Sequence, residues 1–236
     1  MTKRRLRRAA LLALAMASLL PVNACKRPGG PAPAAPRTLP DGSTLLFDAH
    51  SLAGWKVLTE DFFDAAGKVY VHDGTLVLEE GQALTGVSWR GSELPRTNYE
   101  VRLEAMRLAG SDFFCGMTFP VGQAFCTLIL GGWGGQVVGL SNVNDLAAHE
   151  NDTTRMIEFQ SNRWYRIALR VTAEKVRVWL DDEEIISQPT KGKRFTIWPQ
   201  QEPVRPFGLA SYSTKAAYRN IRVRQLPPNT TAPPAD

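Results

Sequence analysis

The sequence contains few of the cysteine and histidine side chains that bind transition metals in proteins. Its 236 residues include three cysteines and three histidines. His50, His72 and His149 stand far apart and show none of the spacings at which proteins bind transition metals. The sequence therefore predicts no metal site and no cofactor, with a structural Ca²⁺ held by loop carbonyls and aspartates as the alternative.

An excess of one charge is also missing once the first residues are set aside. The whole chain has 28 basic and 23 acidic side chains, but residues 1–24 contain five of the basic ones and no acid, which leaves 23 of each. A protein that binds nucleic acid regardless of its sequence needs a basic surface. The composition therefore argues against a nucleic-acid partner.

The beginning of the chain has the pattern of an export signal. Basic residues crowd the first eight positions, and the apolar run that follows, residues 9–20, is too short to cross a bilayer core of ~30 Å as a helix. Val22-Asn23-Ala24 then precede Cys25, which resembles the lipobox of bacterial lipoproteins. We expect residues 1–24 to be a cleaved signal peptide and Cys25 to carry lipid. The alternative is an ordinary secretory leader that leaves Cys25 as a free thiol.

The rest of the chain divides by composition into a tether, one domain and a tail. Residues 25–40 and 227–236 are rich in proline, alanine and polar residues, and such segments bury too little apolar surface to fold. Residues 41–226 have the size of one domain. With the lipid on Cys25, this organisation predicts a protein anchored to a membrane of the bacterial cell envelope, either in the periplasm or on the outer-membrane surface.

Alternation of apolar and polar residues with a period of two runs through residues 41–226. It is clear in 98–103, 165–171, 175–180 and 219–224, and no amphipathic helix of convincing length accompanies it. Each such strand has one apolar and one polar face, which is typical of antiparallel sheets packed on one side. We therefore predict an all-β sandwich or jelly roll in which Leu45–Phe47 pairs with Tyr218–Val223.

Several short segments resemble one bacterial family, the 3-keto-disaccharide hydrolase domain. The opening Leu46-Phe47-Asp48 and Ser51-Leu52-Ala53-Gly54-Trp55 resemble its signature most closely, and the likeness extends over residues 42–226. The later segments that fit its layout are 98–105, 111–116, 164–166, 181–183 and 207–209. Residues 131–155 depart from the family pattern, which identifies a divergent branch.

The resemblance implies a fold and a class of substrate. The fold is a concanavalin-like jelly-roll β-sandwich of two antiparallel sheets. The function is that of a hydrolase or lyase acting on (3-keto-)glycosides, with carbohydrate as the partner. The alternatives are a non-catalytic carbohydrate-binding lipoprotein of the same fold and a scaffold or adhesion module that contacts protein.

The carboxylate run of glucanases with this fold, Glu-x-Asp-x-(x)-Glu, is absent from the sequence. Glu100 and Glu104 share one face of a strand, which we interpret as solvated surface rather than a cleft. Trp133 lies in a glycine-rich strand, where an exposed indole could support a sugar ring and where a buried core tryptophan is the alternative. Asn142 is assigned with Trp133 as a substrate-binding residue.

A polar loop and one aspartate supply the candidate catalytic groups. Asp112 begins the strand before Cys115, and His149 and Glu150 are predicted to act with it as acid and base. Arg155 is predicted to bind a hydroxyl, keto or carboxylate oxygen of the substrate. The alternative for residues 149–155 is a solvated loop with a helix cap and a surface ion pair.

The two remaining cysteines flank a predicted hairpin. Cys115 and Cys126 come opposite or diagonal to one another if the chain turns at Pro120–Gln123. Export would bring them into an oxidising compartment. We predict a disulfide between them, against the alternative of two buried thiols.

Overall fold

Two antiparallel sheets form the computed structural model, which describes residues 37–228 and 230. The first sheet runs in the order β1-β2-β16-β7-β12-β13-β14, and the β4–β5 hairpin joins it through β5 and β16. Its strands are β1 (Arg37–Thr38), β2 (Thr44–Leu45), β4 (Val69–His72), β5 (Thr75–Leu78), β7 (Tyr99–Gly110), β12 (Tyr165–Val171), β13 (Lys175–Leu180), β14 (Glu183–Pro189) and β16 (Thr214–Gln225).

The second sheet has seven strands in the order β11-β10-β9-β8-β15-β6-β3. They are β3 (Trp55–Leu58), β6 (Leu84–Trp89), β8 (Cys115–Val121), β9 (Ala124–Gly132), β10 (Val137–Ser141), β11 (Arg155–Met156) and β15 (Gly208–Tyr212). One 3₁₀ helix, Pro199–Val204, precedes β15. Both sheets are antiparallel throughout, so the predicted all-β jelly-roll sandwich is confirmed.

The main core lies between the facing sides of the two sheets. In β7, Tyr99, Val101 and Leu103 are buried there, and they meet alternate residues of the second sheet such as Leu128 and Leu130 of β9. A smaller apolar cluster, which includes Phe113, Ile129 and Val204, lies on the other side of the second sheet. Loops therefore cover part of that outer face.

The predicted pairing of the beginning and end of the domain is confirmed. Leu45 stands opposite Arg222, and the Leu46 amide donates to the Ile221 carbonyl at 2.8 Å. β1 extends the sheet by pairing with β2, so the folded domain begins inside the segment predicted as tether, before residue 41.

The interpretation of Glu100 as solvated surface is wrong. Its carboxylate is 1 % exposed and receives hydrogen bonds from Arg170, itself 1 % exposed, and from Arg102. Arg224 lies at 3.3 Å. Sequence alternation places Glu100 on the outer face correctly, but long arginine side chains from neighbouring strands lie over it and exclude water.

The predicted disulfide between Cys115 and Cys126 is wrong, and both residues are buried free thiols. The hairpin turns at Gly122-Gln123, which sets Cys126 opposite Phe119 and Cys115 opposite Leu130. Four positions along a strand separate the two by roughly 13 Å, well beyond the ~7 Å Cα separation that a disulfide tolerates. Burial raises the pKa of both thiols, which keeps them protonated.

The predicted signal peptide, Cys25 and most of the predicted tether and tail lie outside the described residues. Within residues 37–228, no helix is long and apolar enough to cross a membrane.

Candidate functional site

The outer face of the second sheet carries a row of small residues. Gly86, Ala210, Gly116, Ile129 and Gly139 stand side by side across β6, β15, β8, β9 and β10. Because four of the five are glycine or alanine, other segments approach the sheet closely. The 3₁₀ helix packs on one part of the row, where Gln201 lies over Gly116, and Ala148 packs on Gly139.

A cleft of about 410 Å³ opens between these two covering segments. Its volume falls within the range of small-molecule sites in proteins. Aromatic and polar side chains dominate its lining, which consists of Asp112, Phe113, Ile129, Trp133, Ser141, Asn142, Ala147, Trp198, Gln201 and Tyr212.

Trp133 presents its indole at one side of the cleft. It follows the last residue of β9 in the turn to β10, has a positive φ of 47° and is 46 % exposed. Its ring centroid lies 4.4 Å from that of His149. The core alternative for Trp133 is therefore wrong, and the side chain has the exposure that a stacking surface requires.

The opposite side of the cleft is also aromatic. The ring of Tyr212 lies 5.7 Å from Phe113 and 6.3 Å from Trp198, centroid to centroid. Neither Tyr212 nor Trp198 was predicted from the sequence as a residue of the site. Tyr212 continues the outward-facing alternation of β15, but nothing local indicates that Trp198 folds back over the same sheet.

Asp112 is the one carboxylate that the described part of the chain contributes to the lining of the cleft. Its Oδ1 accepts the amide of Phe113 at 2.7 Å, and its Oδ2 accepts the amide of Gly134 at 3.4 Å. The second contact is long, so Oδ2 keeps capacity to accept a further hydrogen bond. The backbone amide of Asp112 donates to Thr214 Oγ1 at 3.0 Å, which fixes the residue on β16.

Two side-chain amides complete the polar lining. Asn142 Oδ1 accepts from the hydroxyl of Ser141 at 2.7 Å, and its backbone amide donates to the Thr196 carbonyl at 2.8 Å. Gln201 is 1 % exposed, and its amide nitrogen has no hydrogen-bond partner among the residues that the structure describes. A buried donor without a partner costs free energy that a bound acceptor would recover. Gln201 was not predicted from the sequence either, because it lies in a segment without a recognisable motif.

The predicted residues of the polar loop do not line the cleft. His149 Nε2 lies 3.6 Å from Glu150 Oε1, so the two form a pair at the rim beside Trp133. Arg155 is exposed on β11, where its guanidinium donates to the Thr154 and Asp152 carbonyls. The structure thus brings Asp112, Trp133 and Asn142 together in the cleft, leaves His149 and Glu150 at its edge, and places Arg155 outside it.

The loop of residues 143–154 is held by Asn151. Its side-chain nitrogen donates to the carbonyls of Leu140, Leu146 and Ala147 within 3.0 Å, and its oxygen accepts from Thr153. The Thr153 hydroxyl also accepts the Leu140 amide at 2.8 Å. These hydrogen bonds fix the backbone of the loop, whose side chains at 144–146, 149, 150 and 152 remain exposed, and Ala147 brings it to the edge of the cleft.

No group of three or more histidine, cysteine, aspartate or glutamate side chains among residues 37–228 could hold a metal ion.

Comparison with known proteins adds a family match and a fold. The model of a family described as 3-keto-alpha-glucoside-1,2-lyase-like domain matches residues 42–224. No curated protein sequence matches the chain.

Solved structures resemble the domain at low identity. A structure concerned with endo-acting O-glycanases, which prominent members of the human gut microbiota express to initiate mucin breakdown, is 13% identical with a TM-score of 0.50, and the match covers 78% of this chain and 95% of that one. The carbohydrate-binding module CBM66 from Bacillus subtilis is 12% identical with a TM-score of 0.49, and the match covers 72% of this chain and 95% of the module. A glycosyl hydrolase-like protein from Parabacteroides distasonis is 14% identical with a TM-score of 0.47, and the match covers 79% of this chain and 95% of that protein. At such identity the likeness concerns the fold.

Proposed function

Since its residues 42–224 match the family model, the chain belongs to the 3-keto-alpha-glucoside-1,2-lyase-like domains, and from this premise we propose that the cleft binds and cleaves a glycoside with a carbonyl group at C3. The observation that carries the proposal is the meeting of Trp133, Asp112 and Gln201 in one cleft. An exposed indole can stack on the apolar face of a sugar, and the polar groups around it fix the orientation of the ring.

The single carboxylate of the lining favours elimination over glycosidase-type hydrolysis. Glycosidases of the common kind need two carboxyl groups beside the scissile bond, and within residues 37–228 the lining contains one, that of Asp112. In a 3-keto glycoside the carbonyl makes the hydrogen on C2 acidic. Asp112 removes this proton, the electron pair forms the C1–C2 double bond, and the C1–O bond breaks to release the aglycone oxygen, which takes up a proton.

The amide of Gln201 has the chemistry to assist that step. A donor without a protein partner is suited to a carbonyl oxygen on which negative charge develops during proton removal. His149 and Glu150 lie at the rim, so we assign them to contacts with the aglycone and not to the reacting carbon.

Binding without cleavage is the second candidate. The cleft has aromatic side chains on two sides and a single ionisable carboxylate, which a carbohydrate-binding site also provides. The two functions differ in whether the bound glycoside is also cleaved, and this can be measured.

The test uses methyl 3-keto-α-D-glucopyranoside with the purified domain, and measures methanol release and the ultraviolet absorbance of the unsaturated ketone. We expect turnover by the wild type and loss of turnover with retained binding in Asp112→Asn. In Trp133→Ala we expect the affinity to fall about tenfold or more, because truncating a tryptophan at the centre of a contact commonly costs more than about 1 kcal/mol of binding free energy. Trp164→Ala is the matched control, because Trp164 contacts Arg219, whose strand β16 belongs to the other sheet.

Binding without turnover would leave the carbohydrate-binding function and exclude the lyase. Neither binding nor turnover would contradict both functions, and equal losses in Trp133→Ala and Trp164→Ala would contradict the assignment of the cleft.

We also propose that the chain is exported and anchored through lipid on Cys25. The basic start, the short apolar run and Val22-Asn23-Ala24 before the cysteine support this proposal. The protein would then meet glycosides at the cell envelope.

A further inference from the structure

Arg107 occupies a position where the sequence pattern requires an apolar residue. It follows Tyr99, Val101, Leu103 and Ala105 on the inward-facing side of β7, and it is 7 % exposed. A buried cation is costly unless it is paired or well hydrogen-bonded. Its partners therefore indicate what the residue does.

The partners of Arg107 are backbone carbonyls of the segments that carry Trp133 and Asp112. Its Nη2 donates to the Gly135 carbonyl at 2.9 Å, with longer contacts of 3.4 Å to the carbonyls of Gly131 and Asp112. The guanidinium lies 5.3 Å from the ring centroid of Phe114. None of the ion pairs among the described residues includes Arg107, and burial lowers the pKa of Arg107.

The Gly131–Gly135 turn fits around this guanidinium. A Cβ at Gly131 would lie 2.4 Å from Arg107 Nη2, and one at Gly135 would lie 3.3 Å from Nη1. Trp133 between them has a left-handed backbone, which is unfavourable for a bulky residue and persists only when its surroundings hold it. From the other side, the Asp112 carboxylate accepts the Gly134 amide.

We propose that Arg107 is a positioning residue, which holds the Gly131–Gly135 turn through its carbonyls and thereby presents Trp133 and Asp112 to the cleft. It contacts the backbone behind the cleft and does not line the cleft itself. The effect on ligand affinity rests on the proposed function, but the effect on the turn does not.

The experiment compares Arg107→Met and Arg107→Lys with a matched control, Arg96→Met. Arg96 also binds a hairpin through carbonyls, at Gly122 and Gln123, and lies over the ring of Phe125, but it serves the β8–β9 turn at the other end of β9. Circular dichroism establishes a temperature at which every variant is folded. Hydrogen exchange is then measured for the peptides that cover residues 131–135 and 121–124. The affinity for methyl 3-keto-α-D-glucopyranoside is measured by calorimetry with Asp112→Asn added to each protein, so that the ligand is bound but not cleaved.

We expect Arg107→Met to speed exchange in residues 131–135 and to weaken binding, each by about tenfold, because roughly one charge-assisted hydrogen bond and its neighbours are lost. Arg107→Lys should recover part of both effects, since its ammonium still donates to a carbonyl. Arg96→Met should speed exchange only in residues 121–124 and leave affinity unchanged.

Unchanged exchange in residues 131–135 would overturn the proposal, and so would a loosened turn with wild-type affinity. If the wild type binds no glycoside, the proposed function fails, and exchange alone decides whether Arg107 holds the turn. If Arg107→Met does not fold, Arg107→Lys decides by the same two measurements.

Discussion

Glu100 is the residue around which the outer face of the first sheet is organised. Its carboxylate receives guanidinium groups from β7, β12 and β16 through Arg102, Arg170 and Arg224. The pair with Arg170 is almost fully buried. Removing one partner of a buried pair leaves the other charge uncompensated, which is far more costly than the pair is stabilising.

We expect Glu100→Gln to lower the free energy of unfolding by about 3 kcal/mol, the magnitude typical of a broken buried ion pair. Glu104→Gln is the control, because Glu104 makes similar contacts with Arg219 but is more exposed, and it should cost about 1 kcal/mol or less. Urea denaturation followed by circular dichroism measures both. Equal costs would show that burial does not decide the contribution of Glu100.

Single residues of the site were only partly predictable from the sequence. Trp133 and Asp112 could be identified because glycines and a strand boundary mark their positions locally. Gln201 and Trp198 could not, because they reach the cleft only when residues 198–204 fold back over the second sheet. Arg155 was assigned to the substrate from its neighbours in sequence, whereas its strand directs it away from the cleft.

At the scale of elements, the shape of the cleft depends on how closely two segments approach the second sheet. Gly139 lies against Ala148 of the 143–154 loop, and Gly208 lies against Val204 of the 3₁₀ helix. A side chain at either position would lift the covering segment from the strand below it. The small residues of this sheet face therefore determine the shape of the cleft, because they let the covering segments approach the sheet, although they do not line the cleft themselves.

Gly139→Ala tests this dependence, since its Cβ would lie 2.6 Å from the Ala148 carbonyl oxygen. We expect a loss of stability of roughly 1–3 kcal/mol from overpacking together with weaker binding of the glycoside, because the wall carrying Ala147 is displaced. Thermal unfolding and calorimetry measure the two effects. Gly122→Ala is the control: it has open space but a positive φ of 57°, so it should lose stability without losing affinity. Unaltered affinity in Gly139→Ala would contradict the role given to the loop.

The strands themselves were the most predictable elements, because alternation reports which face of a sheet is buried. β7, β12, β13 and β16 appear where period-two patterns predicted them. Register was not predictable, since it depends on which residues form the turn. The β8–β9 hairpin turns at Gly122-Gln123, and the predicted disulfide fails for this reason.

At the scale of the whole molecule, the two ends of the described part of the chain and the cleft belong to different sheets. β1, where the described part begins, and β16, near its end, both belong to the first sheet. The cleft lies on the outer face of the second sheet, beyond the core that the two sheets share.

The proposed anchor can be tested on the full chain. Expressed in a bacterium supplied with labelled fatty acid, the wild-type protein should incorporate label and fractionate with membranes, whereas Cys25→Ser should do neither. Cys115→Ser is the control, since Cys115 is buried in the core and should not affect labelling. An unlabelled wild-type protein would contradict the anchor and leave the proposed activity of the cleft untouched.

The separation of ends and cleft has a consequence for multivalency. Many copies of the domain attached to one surface near residue 37 would each carry the cleft on the sheet that does not hold the point of attachment. Copies arranged in this way would engage several glycosides of one opposing surface at once, which raises avidity without any new contact.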